Sequence, residues 1–528
     1  MTTIHAISLS KQFSDGHDLF HDLSFIIPVG VNALVGKNGC GKSHLASILA
    51  KHSQPSSGSV EWGSNTKSIG VYRQEESQDE LDYSIAAYLG VEDKLEALKQ
   101  ISRGSTDNQW FDLIADSDWQ LEQTLTELFE SLRLPTDLST KLLHLSGGQR
   151  AIIRLYRLLN QEHDGWILDE PTNHLDTEHI SWLVETLRQR QVPILVISHN
   201  ISFLEQTDRI FELDSLGITC FGGGYQGYIT QKEQKLAAIN KMAKMLEKAR
   251  KVKVEKARRR DLTMQRLASR GEKLRASGSQ PKILMDGKKQ GAQLANSAVK
   301  AQNERQMADL DQKIQDVKSQ LEQLKPQKWY TSEVQSTGRV KVHFEGFYHE
   351  RIESEPITAQ IFSGEHVWLK GANGSGKSTL LRLLLKTEHH SSVDDNLAVN
   401  GVCFYLDQYF SFLDSNVSML DAVCTHCASL NIPQARTLLA GIGFRRDSVH
   451  QKVLDLSGGE KMKLAMLIAS HQTQASILLL DEPDNHLDLE AKQQLVKAIN
   501  GYTGAVIVVS HDVGFIRHLT IHKTIELG

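Results

Sequence analysis

Short apolar runs of strand length alternate with longer stretches whose apolar residues recur every three or four positions, and the whole alternation occurs twice. In the first half, Ile4–Leu9, Leu23–Pro28 and Val31–Val35 read as strands, and His44–Ala50 as the helix after the third. Trp166–Leu168 and Ile194–Ile197 are uninterrupted apolar runs, the pattern of parallel strands covered on both faces. The second half repeats the order with His366–Leu369, a helix from Thr379–Leu385, and the strands Ile477–Leu480 and Val506–Val509. Between the halves only the helical period remains. Leu236, Ile239, Met242, Leu246 and Ala249 predict one long helix toward about Arg270. Met307, Leu310, Ile314, Val317, Leu321 and Leu324 form a coiled-coil seam that Pro326 ends. Glycine and proline at 276–281 and Gly287 oppose helix, so an antiparallel hairpin with its tip near 276–290 is expected, entered by a turn at Gly222–Tyr228. The fold class is therefore α/β, with two similar domains (1–225 and 329–528) and a helical linker (226–328).

Charge changes the picture of that linker. Gln231–Lys328 holds 25 Lys and Arg against 11 Asp and Glu, a charge of +14, and the remaining chain carries −19. Lys248, Arg250, Lys251, Lys253, Lys256, Arg258, Arg259 and Arg260 meet a single acidic residue, Glu255. Charge runs are usually solvated helix faces, but such density repels itself unless an anion lies nearby, which favours contact with nucleic acid phosphates. Aromatics are almost absent there, so stacking on single-stranded bases is not expected. No apolar run approaches the roughly 20 residues that span a bilayer. Met1 leads almost directly into the first strand, so no secretory signal is expected, and five cysteines suit a reducing, cytoplasmic setting. Cys424-Thr425-His426-Cys427 has metal-ligand spacing but no second pair, so buried thiols on a helix over Met419–Leu430 are the better reading.

The candidate chemistry lies at the ends of the repeated strands. Val31–Val35 runs into Gly36-Lys37-Asn38-Gly39-Cys40-Gly41-Lys42-Ser43, and His366–Leu369 into Gly371-Ala372-Asn373-Gly374-Ser375-Gly376-Lys377-Ser378. Both fit G-x-x-x-x-G-K-[ST] between strand and helix, a loop whose backbone N–H groups close around phosphate oxygens. Lys42 and Lys377 supply a point charge, and Ser43 and Ser378 a hydroxyl for Mg²⁺. Gln74 follows Lys42 by 32 residues and Gln408 follows Lys377 by 31. Leu145-Ser146-Gly147-Gly148-Gln149 precedes Asp169 by 24, and Leu456-Ser457-Gly458-Gly459-Glu460 precedes Asp481 by 25. Glu170 to His199 and Glu482 to His511 are both 29. One glycine turn could arise by chance; five elements in one order twice do not. Asp169 and Asp481 can hold Mg²⁺, Glu170 and Glu482 can orient or deprotonate water, and His199 and His511 can bond a γ-phosphate.

With Asp169-Glu170-Pro171-Thr172-Asn173-His174-Leu175-Asp176 and Asp481-Glu482-Pro483-Asp484-Asn485-His486-Leu487-Asp488, the chain resembles ATP-binding cassette proteins of the ABC-F class. The resemblance implies two cassettes closing on two ATP molecules, with Ser457–Gly459 opposite Lys42 and Ser146–Gly148 opposite Lys377. It implies that Gln74 and Gln408 join Ser43, Asp169, Ser378 and Asp481 around ATP and Mg²⁺. It further implies a cytoplasmic monomeric ATPase that acts on the ribosome, meeting ribosomal RNA or tRNA through the linker, as a translation factor or in protection against antibiotics. The adenine-stacking aromatic would be Phe13 in the first half and Phe347 or Tyr348 in the second. The alternative, the energising subunit of a transporter, leaves the basic linker unexplained. A DNA-repair ATPase would carry its coiled coil inside one cassette. The 24 extra residues between phosphate loop and L-S-G-G in the first half fall within Val91–Leu134, which reads as helical and forms either a short arm or a longer subdomain.

Overall fold

The computed structural model describes the chain apart from residues 1–2, 14–15, 17, 64–67, 74–77, 117, 174, 277–299, 319–320, 322–338, 353, 373, 390–395, 408–409, 445, 472–474, 486 and 528. Gln74, Gln408, Asn373, Leu324, Pro326 and the expected hairpin tip lie outside the described residues. The chain divides into two compact units, one of Met1–Tyr228 with Gln327–Gly528 and one of Ile229–Pro326.

In the first unit the same construction occurs twice. Strands β1 (Ile4–Gln12), β2 (Asp18–Ile27) and β4 (Ser57–Trp62) form an antiparallel sheet in the order β2-β1-β4. Strands β3 (Gly30–Gly36), β5 (Gly70–Tyr72), β6 (Trp166–Asp169), β7 (Pro193–Ile197), β8 (Arg209–Asp214) and β9 (Gly217–Gly222) form a second sheet, ordered β5-β6-β7-β3-β8-β9. All neighbours in it run parallel except the β8–β9 hairpin. In the second half β10 (Val340–Phe347), β11 (Ile357–Phe362) and β13 (Leu397–Val399) repeat the antiparallel sheet. Strands β12 (His366–Gly371), β14 (Val402–Leu406), β15 (Ala475–Asp481), β16 (Ala505–Val509) and β17 (Lys523–Leu527) repeat the parallel one, in the order β14-β15-β16-β12-β17. Each phosphate loop thus leaves a strand one place from the strand that precedes the histidine and two places from the one that ends in aspartate. Parallel sheets gather ligand groups at such carboxyl ends.

The apolar runs earn their continuity by burial on both faces. Ile167, Leu168, Leu195 and Ile197 are buried, as are Ile477, Leu479, Ile507 and Val509, each side chain worth roughly 1.5–3 kcal/mol in removal from water. Val91–Leu134 forms the helices Glu92–Ser102, Asn108–Asp112 and Leu121–Ser131. The helix at the C-T-H-C stretch is shorter than expected, Met419–His426; Cys427 is buried and Cys424 only partly so. The expected turn at Gly222–Tyr228 is corrected: a helix already begins at Gly224. Tyr225 and Tyr228 in its first turn are buried, and the Tyr228 hydroxyl donates to Glu212 Oε1 at 2.8 Å.

The second unit is an antiparallel helical pair. Within it, the helix Gly224–Ala276 meets a helix at 300–318 through Arg250–Asp311 and Lys318–Glu247 ion pairs and a Lys253–Gln306 hydrogen bond. Ile314, Val317 and Leu321 are buried in the expected seam. Facing positions shift from expectation: Leu236, Ile239, Ala243 and Leu246 are half-buried, and Met242 and Ala249 are exposed. Every basic residue from Lys248 to Arg260 is exposed.

Candidate functional site

Both glycine loops close by the same backbone device. Gly39 (φ 80°) and Gly41 (φ 96°) in the first, and Gly374 (φ 89°) and Gly376 (φ 94°) in the second, hold left-handed conformations. A Cβ at Gly41 would stand 2.6 Å from Leu19, and one at Gly376 2.6 Å from the Arg351 carbonyl. Lys42 and Lys377 then open the helices Lys42–Leu49 and Lys377–His389 with their ammonium groups buried. Lys42 Nζ donates to Gly36 O at 3.0 Å and Lys37 O at 3.1 Å. Lys377 Nζ donates to Gly371 O at 2.9 Å and Ala372 O at 2.7 Å. Burial holds Lys377 below its ordinary range, against the pull of Glu482 and Asp481.

Asp169 ends β6 and accepts a hydrogen bond from the Ser43 hydroxyl; Asp481 ends β15 and accepts from Ser378. Tyr405 adds a second donor to Asp481 at 2.9 Å. Burial pushes both aspartates up. The next residue in each half is strained in the same way: Glu170 has φ 49° and Glu482 φ 51°. A left-handed conformation at a non-glycine residue costs about 1–3 kcal/mol and persists only where its surroundings impose it. Here the Glu170 N–H donates to Ile197 O at 2.9 Å and the Glu482 N–H to Val509 O at 3.0 Å, so the neighbouring strand fixes the turn. The twist aims both carboxylates at the histidines. His199 Nε2 lies 3.6 Å from Glu170 Oε1, and His511 Nε2 3.3 Å from Glu482 Oε1.

The electrostatics of the two pairs differ. Burial pushes Glu170 up to about 7 and His199 well below the usual imidazole range. Burial also acts on Glu482, but His511, Lys377 and Asn485 together hold it below the usual carboxylate range.

A cavity of about 730 Å³ opens in front of the first group, and both halves line it. Lys42, Ser43, Asp169 and Glu170 face Ser457 and Gly458 of the second half. Ser457 caps the helix Gly458–His471: the Glu460 N–H donates to its hydroxyl oxygen, and Glu460 Oε2 accepts from Ser457 N at 2.9 Å and Oγ at 2.7 Å. Ser146 caps Gly147–Leu159 in a capping box with Gln149, so the Gln-to-Glu difference conserves the capping geometry and adds a charge. Further contacts cross between the halves. Asn38 N donates to Asp488 Oδ2 at 3.3 Å, Lys37 pairs with Glu490 at 3.4 Å, and the Thr177 hydroxyl donates to His511 O at 3.3 Å. Asp176 acts electrostatically on Lys377 and is itself acted on by His511, the reciprocal approach of the first half to the second loop.

Phe13 lines the main cavity and stands edge-on to His44 at 5.4 Å. In the second half a β-bulge at Gly346 (φ 62°) precedes the two candidate aromatics, which as consecutive residues face opposite ways. Phe347 turns into the core against Phe344, and Tyr348, 60% exposed, lines a second cavity with Arg351, Thr379 and Arg382.

The donor set suits a triphosphate with Mg²⁺. Each half offers a buried ammonium, a hydroxyl–carboxylate pair and an imidazole at one sheet edge. Both ring nitrogens of His199 are buried without a hydrogen-bond partner, so the one that carries the proton can donate to an added oxygen. Lys492 and Asp512 line the first cavity and were not singled out by their sequence context, which is an ordinary amphipathic helix and a helix cap.

Among the described residues no helix is long and apolar enough to cross a membrane. A family model described as ABC transporter matches residues 20–173 and 354–485. The chain is 29% identical over 528 residues to ABC transporter F family member 5 of Arabidopsis thaliana, covering 94% of this chain and 70% of the relative. It is 28% identical over 506 residues to the probable ATP-binding protein YheS of Haemophilus influenzae, covering 93% and 73%. In three dimensions it is similar to the archaeal ribosome recycling factor aABCE1, solved with ribosomal stalk protein aP1, at a TM-score of 0.57 and 18% identity over 97% of this chain and 86% of that one. Two cassette matches spanning more than half the chain, with relatives named for the F class, establish that the protein belongs to the ATP-binding cassette family and is an ABC-F ATPase.

Proposed function

We propose that the protein binds and hydrolyses two ATP molecules at sites shared between its cassettes and uses the cycle to act on the ribosome. The observation that carries the first part is the cavity in which Lys42, Asp169 and Glu170 face Ser457 and Gly458 of the other half. ATP would bridge the two halves there, and domains 1–225 and 329–528 would separate when it is hydrolysed. Ser43 with Asp169, and Ser378 with Asp481, would hold Mg²⁺, joined by Gln74 and Gln408; the ion supplies charge neutralisation at the outer phosphates. Glu170 and Glu482 orient and deprotonate water, and His199 and His511 donate to the γ-phosphate. The remaining residues of both glycine loops, with Ser146–Gly148 and Ser457–Gly459, cradle the nucleotide.

The ribosomal part rests on the exposed basic stretch Lys248–Arg260 in a linker, 226–328, of charge about +14, joined to acidic cassettes. Such a surface meets RNA phosphates without reading sequence. Ribosomal RNA or tRNA, a cytoplasmic location and a monomeric chain complete the reading; translation factor and antibiotic protection both fit it. The test is cosedimentation with ribosomes. Glu170→Gln/Glu482→Gln should sediment with ribosomes in ATP and not in its absence. Changing Arg250, Lys251, Lys253, Arg258, Arg259 and Arg260 to Gln should abolish that binding at physiological salt. It should also make the salt dependence shallower by roughly one logarithmic unit per lost phosphate contact, leaving ribosome-free ATPase unchanged. Unchanged ribosome affinity in the six-fold variant would overturn the assignment of the linker.

A further inference from the structure

Residue for residue, the two halves stay in register from Asp169 and Asp481 through Asn200 and Asp512, yet three positions, all buried in the second half, differ together. The first half carries Thr172, Ile180 and Asn200; the second carries Asp484, Lys492 and Asp512. The first set is uncharged: Thr172 shares a hydrogen bond with Ser198 at 2.7 Å, Ile180 is core, and Asn200 caps its own helix through Phe203 N. The second is a buried charged cluster. Lys492 Nζ lies 2.9 Å from Asp512 Oδ2 and 3.5 Å from Asp484 Oδ2, and all three residues are at most 4% exposed. A buried carboxylate without a cation is strongly destabilising, so Lys492 is required wherever Asp512 is kept.

Asp512 uses its charge on the other cassette. Ile201 N donates to Asp512 Oδ2 at 2.9 Å, and Ser202 N and Oγ donate to Oδ1 at 3.2 and 3.1 Å. The Gly514 N–H donates to Ser202 Oγ at 2.8 Å, and a Cβ at Gly514 would meet the Ile201 side chain at 2.6 Å, so the two halves pack closely here. Ile201 follows His199 by two positions and Asp512 follows His511 by one, so this clamp joins the segments that carry the two histidines. Asn200, the counterpart of Asp512, makes no such reach: its side chain is used within its own half.

We propose that Lys492, seated between Asp484 and Asp512, is a positioning residue of the first nucleotide site: it neutralises the carboxylate with which the second cassette grips the backbone just beyond His199. This rests on the reading of Lys42, Glu170 and His199 as a nucleotide site. The clamp is one-sided, since its charges come only from the second cassette, and it makes the placement of His199 depend on whether the cassettes are together.

Hydrogen exchange at the Ile201 and Ser202 amides reads the clamp directly, because Asp512 is their acceptor. Lys492→Met should raise exchange at these two amides at least about tenfold relative to strand β7, whereas Lys492→Arg should retain protection. Should Lys492→Met fail to fold, the variant Asp484→Thr/Lys492→Ile/Asp512→Asn carries the residues of the first half and no buried charge. It should fold, lose protection at Ile201 and Ser202, and show a lower kcat for ATP with KM little changed. Wild-type exchange and kcat in the folded triple variant would overturn the clamp. Glu170→Gln separates the two readings: if it hydrolyses ATP normally in the Glu482→Gln background, the site assignment fails. If it does not, and the triple variant behaves as wild type, only the clamp fails.

Discussion

The two glutamate–histidine groups share a backbone geometry and differ in electrostatics. Glu170 and Glu482 occupy the same strained conformation, beside the same kind of aspartate and histidine. Around Glu170, burial dominates and raises the carboxyl to about 7; around Glu482, His511, Lys377 and Asn485 outweigh burial. The two halves thus share a geometry and differ in electrostatics. The lesson is that motif identity predicts where the groups stand, whereas their protonation is set by neighbours the motif does not contain.

The largest effect should come from removing both members of the pair. Glu170→Gln/Glu482→Gln should bind ATP and hydrolyse it at least about a hundredfold more slowly, measured by phosphate release, as loss of a positioned base costs. Near-normal turnover would refute the role given to both. Next, Ser457→Arg should cripple the site built on Lys42, and Ser146→Arg the one built on Lys377, by about tenfold or more each, because a large cation replaces a cap that faces phosphate. Single-site rates, read in Glu170→Gln or Glu482→Gln backgrounds, would reveal if the damage fell in cis instead. A smaller effect should separate the sites by pH. With Glu482→Gln, only Glu170 can act; it must lose its proton, so turnover should rise severalfold as pH climbs through about 7. With Glu170→Gln, the base is Glu482, held ionised below the usual carboxylate range, so turnover should stay flat between about pH 6 and 8. Identical profiles would erase the contrast. The smallest shift concerns stability: because Glu170 is raised on folding, the unfolded state sheds its proton first. Stability of the wild type should thus fall as pH rises between the ordinary glutamate range and about 7, by roughly 1–3 kcal/mol, and Glu170→Gln should abolish that slope in a denaturation series.

Much of this was legible in the residues themselves. The glycine loops, strand-end aspartates and the histidines after the next strand are local devices, since Gly39, Gly41, Gly374 and Gly376 must sit at positive φ for a loop to close. Continuous apolar runs gave the parallel strands for the same reason. What escaped was set by distance. Lys492 looks like one more lysine on the helix Leu489–Asn500, and only the fold brings it between carboxylates eight positions before and twenty after it. Phe347 and Tyr348 face opposite ways as consecutive residues, and the bulge just before them, at Gly346, sets which of the two faces the core. Tyr225 and Tyr228 read as part of a glycine-rich turn because Tyr228 meets Glu212 and Phe221 of the preceding strands and Tyr225 meets His518 of the second half, contacts distant from the turn itself.

The strained glutamates carry a consequence for how this protein could be changed in the laboratory or in lineages. At positions 170 and 482 a glycine would adopt the observed backbone without steric cost, and at 170 it would also remove a carboxyl that burial disfavours. Glu170→Gly should therefore melt a few degrees higher than the parent while turning over nothing at that site. A screen that rewards thermal stability alone would then enrich changes at the residue proposed to activate water.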